Sequence, residues 1–151
     1  MAQSLSKIYL HVVFSTKHRY PFLRDADLRE RMHAYIGGIL RALDSPGLRV
    51  GGMSDHIHIL MQLSKNRALA DVVGELKRNS SKWVKEAAPG MMKFAWQNGY
   101  AAFSVGKSGV EGGREYILEQ EEHHHGISNQ DEVRALLREF QMEYDEGYLW
   151  D

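Results

Sequence analysis

A chain of 151 residues can bury one proper hydrophobic core and is short for two. Its 43% hydrophobic and 26% charged residues are those of an ordinary soluble protein, and a net charge of −1 argues against indiscriminate polyanion binding. With no cysteine there is no disulfide framework and no thiolate zinc site, and no apolar run is long enough to span a bilayer. Met1-Ala2-Gln3-Ser4 lacks the basic start and apolar stretch of a secretory signal, so a cytoplasmic protein without a membrane partner is expected.

The alternation of Ile8, Leu10, Val12 and Phe14 with Tyr9, His11, Val13 and Ser15 predicts a half-buried strand. A loop, Lys17-His18-Arg19-Tyr20-Pro21, breaks the pattern. Asp25 can cap a helix to Leu43, with Leu28, Met32, Tyr35, Ile36, Ile39, Leu40 and Leu43 in its apolar stripe, and Ser45-Pro46-Gly47 ends it. A second strand is predicted from Leu48 to about Met53, a tight connection at Ser54-Asp55, and a third strand from His56 to Leu63. Ala68 to Glu86 reads as a second helix with Leu69, Val72, Val73, Leu76, Ser80 and Trp83 at helical spacing. Tyr100 to Val105 is the fourth strand, and Gly106 to Gly113 a glycine-rich connector with the look of a hinge. A third helix then starts at Glu111 or Gly112 and runs through Tyr116 to His124; Ser128 can cap a last one from Asp131 to about Tyr144.

The order is βαββαβ followed by helices. It predicts an α+β fold: a ferredoxin-like antiparallel sheet with helices on one face and a C-terminal helical extension carrying Tyr116, in one domain covering 1–151.

Residues two apart in a strand share a face, so His56 and His58 project together while Ile57, Ile59, Met61 and Leu63 line the core side. Asp55 is a turn residue expected to point away from His56, and only secondarily a partner of its ring. Tyr116 and Gln120 lie one helical turn apart and share a face, with Ile117 and Leu118 available to anchor the helix. Two neutral imidazoles and an amide oxygen can hold a divalent cation, Mg2+ or Mn2+, and leave its charge for a phosphate; a phenol beside it can attack that phosphate. The pattern is neither a triple alternating histidine, since Leu60 takes the third place, nor a zinc-protease helix. Basic residues dominate from Lys65 to Lys85 and acidic ones from Glu111 to Glu146; the acidic run reads as solvated helix faces, the basic one equally as a phosphate-contact surface.

These residues, with Tyr9-Leu10-His11-Val12-Val13-Phe14-Ser15-Thr16-Lys17, Leu76-Lys77-Arg78-Asn79-Ser80-Ser81-Lys82 and Trp96-Gln97-Asn98-Gly99-Tyr100 in order, resemble the single-tyrosine HUH transposases. That group comprises the TnpA-type enzymes of insertion sequences and the related repeat-associated tyrosine transposases. The resemblance implies His56, His58 and Gln120 as metal ligands and Tyr116 as nucleophile, in an enzyme that cleaves and rejoins single-stranded DNA through a 5′-phosphotyrosine. It further implies hairpin-ended single-stranded DNA as substrate and a homodimer that shares its active sites between subunits. Lys17, His18, Arg19, Lys77, Arg78 and Lys82 are the residues nominated for DNA, with Tyr20 for stacking on unpaired bases; His123, His124 and His125 read more as a solvated helix end. Two other readings are a ferredoxin-like nucleic-acid-binding module without catalysis and a metal-dependent phosphodiesterase that uses water.

Overall fold

The computed structural model describes residues 2–122 and 128–151, with the side chains of 120–122 outside that description. Its strands are β1 (Ile8–Ser15), β2 (Gly47–Gly52), β3 (His56–Leu63) and β4 (Ala101–Val105). The helices are α1 (Ala26–Ala42), α2 (Leu69–Ala87), α3 (Val110–Glu122) and α4 (Asn129–Glu139), with short 3-10 turns at Lys17–Arg19 and Lys107–Gly109. The strands form one sheet in the order β2-β3-β1-β4, with every neighbouring pair antiparallel. This is the ferredoxin-like arrangement expected from the element order.

The period-two pattern of β1 and β3 decides which face is the core. Val12, Phe14, Ile57, Ile59 and Met61 are buried against Leu28, Met32, Ile36 and Leu40 of α1 and Val72, Val73, Leu76 and Val84 of α2. Local signals set the helix starts. Asp25 accepts from Leu28 N at 3.2 Å, and Ser128 from Asp131 N at 3.2 Å, each satisfying a first-turn donor. The Trp96 indole, buried in the core, donates to Ser80 Oγ at 2.9 Å.

The other face of the sheet is also covered. Val133 and Leu137 of α4 pack on Val13 and Phe103. α3 lies over β2 and β3, where Gly113 allows close approach: a Cβ there would stand 3.4 Å from the Leu60 side chain. Gly112 and Gly113 are thus helical, and α3 begins at Val110 rather than within a glycine-rich connector reaching residue 113. Packing on Leu60 outweighs the low helix propensity of glycine. α4 stops at Glu139, short of Tyr144, because Gln141 turns left-handed (φ 54°) and Met142 N bonds back to Leu137 O at 2.9 Å. Among the described residues no helix is long and apolar enough to cross a membrane.

His33 of α1 is a buried titratable group, and burial, reinforced by the charges of Arg29 and Arg49, holds its pKa down to about 4. The unfolded chain therefore takes up a proton near pH 6.5 that the fold refuses until about 4, and stability falls as pH drops through that window. Full expression of the shift amounts to roughly 3 kcal/mol. Urea unfolding of wild type and His33→Gln at pH 7 and pH 5, with chelator present, is expected to show a smaller acid loss in the variant. Parallel losses in the two proteins would remove His33 as the cause.

Candidate active site

β3 brings His56 and His58 to the face away from the α1/α2 core, opposite Ser15 and Val13 of β1. On the other side His58 pairs with Gly51 of β2, which presents no side chain beside the imidazole. Both histidines are buried, His56 at 5% and His58 at 0% exposure.

Each imidazole is fixed through its Nδ1. His56 Nδ1 lies 2.7 Å from Asp55 Oδ1. Burial pushes the Asp55 carboxyl up, but the hydrogen bond and charge of His56 outweigh it and leave the pKa below the ordinary value. An ionised carboxylate only accepts, so the proton sits on His56 Nδ1. This corrects the expectation that Asp55 points away from His56: Asp55 precedes the first residue of β3, and strand alternation does not extend into the turn.

His58 Nδ1 lies 2.9 Å from Nε2 of His11, a β1 residue, and the two rings stack with centroids 5.2 Å apart. Burial holds the His11 pKa down to about 4. Burial first, then the neighbouring His56 and His11, holds His58 well below its usual value. Both rings are neutral near pH 7, as metal-binding imidazoles are. The sequence placed His11 on the correct face of β1 without a role; what it lacked was the cross-strand register that sets it beside His58.

The remaining ring nitrogens carry the test for a metal. Nε2 of His56 and Nε2 of His58 are both buried with no hydrogen-bond partner among the described residues. Buried polar atoms are ordinarily satisfied, and an Nδ1 held by a carboxylate or a second ring leaves Nε2 as the ligand nitrogen. The two rings lie 5.1 Å apart and nearly perpendicular. The residues present therefore fit two ligands of a divalent cation. Among the described residues no group of three or more His, Cys, Asp or Glu could hold a metal ion.

α3 supplies the phenol. Ile117 is buried and anchors the helix, whereas Leu118 is 37% exposed and does not. Tyr116 meets His58 edge-on at a ring-centroid distance of 5.9 Å and His11 at 6.0 Å, within one chain. Its hydroxyl is hydrogen-bonded to Glu132 on α4, and burial together with that carboxylate pushes the phenol pKa above its ordinary value. Glu132 Oε2 also stands 3.9 Å from His58 Nε2, with the Glu132 side chain only 10% exposed. Glu132 therefore departs from the reading of the acidic run as solvated faces. Its sequence neighbour Val133 and Leu137, buried one turn apart, turn that side of α4 inward.

Gln120 belongs to α3, one turn beyond Tyr116, and its side chain lies outside the described residues, as do His123, His124 and His125. Lys17, His18 and Arg19 form the turn that follows β1, with His18 and Arg19 exposed. On α2, Arg78 is exposed but paired with Glu75 at 2.7 Å, and Lys82 is exposed. The Lys77 ammonium instead donates to the carbonyls of Gln97, Asn98 and Gly99 at 2.8, 3.1 and 2.6 Å. It fastens α2 to the segment before β4, and burial lowers its pKa to about 8.

Several solved structures share this fold. One is a protein of Deinococcus radiodurans R1 assigned as a transposase, 20% identical, with a TM-score of 0.62 over 80% of this chain and 95% of that one. Another is a REP-associated tyrosine transposase bound to a REP hairpin, 13% identical, with a TM-score of 0.59 over 84% of this chain and 76% of that one. No curated protein sequence matches. The family model described as "Transposase IS200 like" matches residues 4–120, which takes in β1, both histidines and Tyr116. The chain belongs to the IS200-like transposase family.

Proposed function

We propose that this chain, acting as a single domain over residues 1–151, cleaves and rejoins single-stranded DNA by metal-dependent transesterification at Tyr116. The observation that carries the reading is the pair of buried Nε2 atoms of His56 and His58, without a hydrogen-bond partner among the described residues, with the Tyr116 ring packed against His58. His56 and His58 would hold the cation, with the Gln120 amide as third ligand. Mg2+ or Mn2+ would, when bound, neutralise the non-bridging oxygens of the scissile phosphate.

The chain's own residues do the rest. Asp55 fixes the orientation and tautomer of His56, and His11 holds the orientation of His58, whose Nε2 is free to ligate when its Nδ1–H donates to His11 Nε2. The Tyr116 oxygen bonds to phosphorus as the bond to the 3′-oxygen breaks, and the phenolic proton ends on that departing oxygen. One phosphoester replaces another, so the reverse attack by a 3′-hydroxyl restores the strand and no water is consumed. Burial of Tyr116 and the nearby Glu132 keep the phenol protonated without a cation, which suits an enzyme that reacts only when loaded. The hairpin on the REP-associated structural relative supports hairpin-ended single strands as the substrate class. The dimer implied by the family resemblance would bring two ends together. Within one chain the Tyr116 ring meets His58 at a centroid distance of 5.9 Å.

The test is a covalent protein–DNA band on a denaturing gel after incubation with single-stranded hairpin DNA and Mn2+. The band is expected to disappear with chelator and return with added metal. Cleavage to a free 5′-phosphate without a band would favour the water-using phosphodiesterase, and binding without cleavage the inactive module.

A further inference from the structure

A second concavity opens at the end of the sheet where β3 begins. It is a cavity of about 530 Å3 between the turn after β1 and residues 90–95, with Tyr20, Phe22 and Met91 among its walls and Lys17, Arg24 and Lys93 at its edge. We propose that it seats an unpaired nucleobase of the single strand, with neighbouring phosphates on the basic rim. The proposal rests on the single-strand reading above and names the part of the substrate that this surface reads.

The lining has the chemistry of a nucleotide in reverse. Its walls are aromatic and apolar, and every charged residue lining it is basic. A ligand must offer a flat apolar body and an anionic handle, which a base with its phosphate does and an acidic side chain does not. Tyr20 is 55% exposed, leans on Phe22 at a centroid distance of 4.6 Å, and has the Arg24 guanidinium 5.8 Å from its ring. An exposed ring backed by another ring and flanked by a cation is a stacking platform.

The backbone carrying it is strained and tied down. His18 and Arg19 are consecutive non-glycine residues at φ 56° and 54°, a conformation that persists only where surroundings impose it and that gathers at ligand clamps. Thr16 Oγ1 donates to Tyr20 O at 2.7 Å, and Lys17 N donates to Ala95 O at 2.8 Å. Two further bonds join this turn to the one leading into His56: Thr16 N to Asp55 O at 2.9 Å and Leu23 N to Ser54 O at 2.9 Å. Asp55 is the residue that orients His56. A base held on Tyr20 is therefore at a fixed remove from the scissile phosphate, and the pocket acts as a register mark on the strand.

The experiment compares a labelled oligothymidylate of about ten nucleotides with an abasic strand of the same length and charge, by fluorescence anisotropy. It is run in the Tyr116→Phe background with chelator present, so that neither phenol nor metal-dependent cleavage intervenes. Tyr20→Ala is expected to reduce the preference for the base-bearing strand about tenfold, within the range that stacking one base provides, and Tyr20→Phe to retain it. Lys93→Ala is expected to weaken both strands equally and flatten the salt dependence. A strand containing 4-thiothymidine is expected to cross-link within residues 17–24 or 90–95. Equal effects of Tyr20→Ala on both strands, cross-links confined to other segments, or displacement by thymidine monophosphate as effective as by the oligonucleotide would each overturn the proposal. A melting curve by circular dichroism checks that Tyr20→Ala is folded. If wild type forms no covalent band yet Tyr20 still discriminates the strands, the transesterase reading falls and the pocket stands. If the band forms and Tyr20 does not discriminate, the pocket alone falls.

Discussion

Tyr116→Phe is expected to remove the covalent protein–DNA band, by at least about a thousandfold, while leaving hairpin affinity within a few-fold of wild type. The substitution deletes one oxygen. The ring remains packed on His58 and His11, so the path of the strand past the site should survive. The change does cost stability, because the hydroxyl donates to a Glu132 carboxylate that is only 10% exposed. Taking a donor from a buried carboxylate costs about 1–3 kcal/mol, seen as a lower melting temperature in a protein that still binds DNA. His56→Ala and His58→Ala should lose the band by a different route, through Mn2+ affinity measured by calorimetry, which Tyr116→Phe should leave nearly unchanged. The pattern across the three variants is what discriminates. A Tyr116→Phe protein that still cuts DNA at an appreciable rate would assign the chemistry to water. Loss of metal binding in Tyr116→Phe would mean that the phenol helps hold the cation and that the roles assigned above are wrongly divided.

The sheet and the first two helices were readable in the sequence because their signals are local. Alternation in Ile8 to Ser15 and His56 to Leu63, an aspartate before α1 and a serine before α4 are each decided within a few residues. The histidine pair was readable for the same reason: its spacing fixes a shared face whatever the rest of the chain does. His11 and Glu132 were not readable as site residues. His11 lies 47 positions from His58, and only the β1–β3 register makes them neighbours. Glu132 sits in an acidic run whose composition does not separate an inward carboxylate from solvated ones, and the packing of α4 on the sheet makes that separation. Lys77 shows the reverse error of composition. It belongs to a basic run nominated for phosphate, yet three carbonyls of the chain occupy its ammonium. The third helix was expected from Glu111 or Gly112, inside a glycine-rich connector; it begins at Val110, and the close approach of Gly113 to Leu60 is a contact that local propensity does not show.

Gly52→Ala is expected to be the most damaging methyl group that can be added near the site. Gly52 ends β2 at φ +151°, paired with Ile57, and a Cβ there would fall 2.3 Å from the His56 carbonyl oxygen and 2.9 Å from Ile57 Cα. Both atoms are backbone, so no side-chain rotation relieves the clash, and the β2–β3 connection must open. Destabilisation of about 2–4 kcal/mol is expected in urea unfolding. The same movement shifts the peptide that carries His56, whose orientation depends on the adjacent Asp55. In conditions where the variant remains folded, Mn2+ affinity should fall by roughly 10–100-fold, the usual cost of disturbing what orients a ligand. Gly90→Ala is the control: it too has a left-handed φ, +84°, but no atom stands within 4 Å of the added carbon. It should cost only the conformational strain, about 1–2 kcal/mol, with metal affinity intact. Equal stability of Gly52→Ala and wild type would show that the β2–β3 pairing does not hold in solution. A destabilised Gly52→Ala that binds Mn2+ normally would instead show that His56 takes its position from β1 alone, through Ser15, and that the turn at Ser54 and Asp55 is free to move without disturbing the metal site.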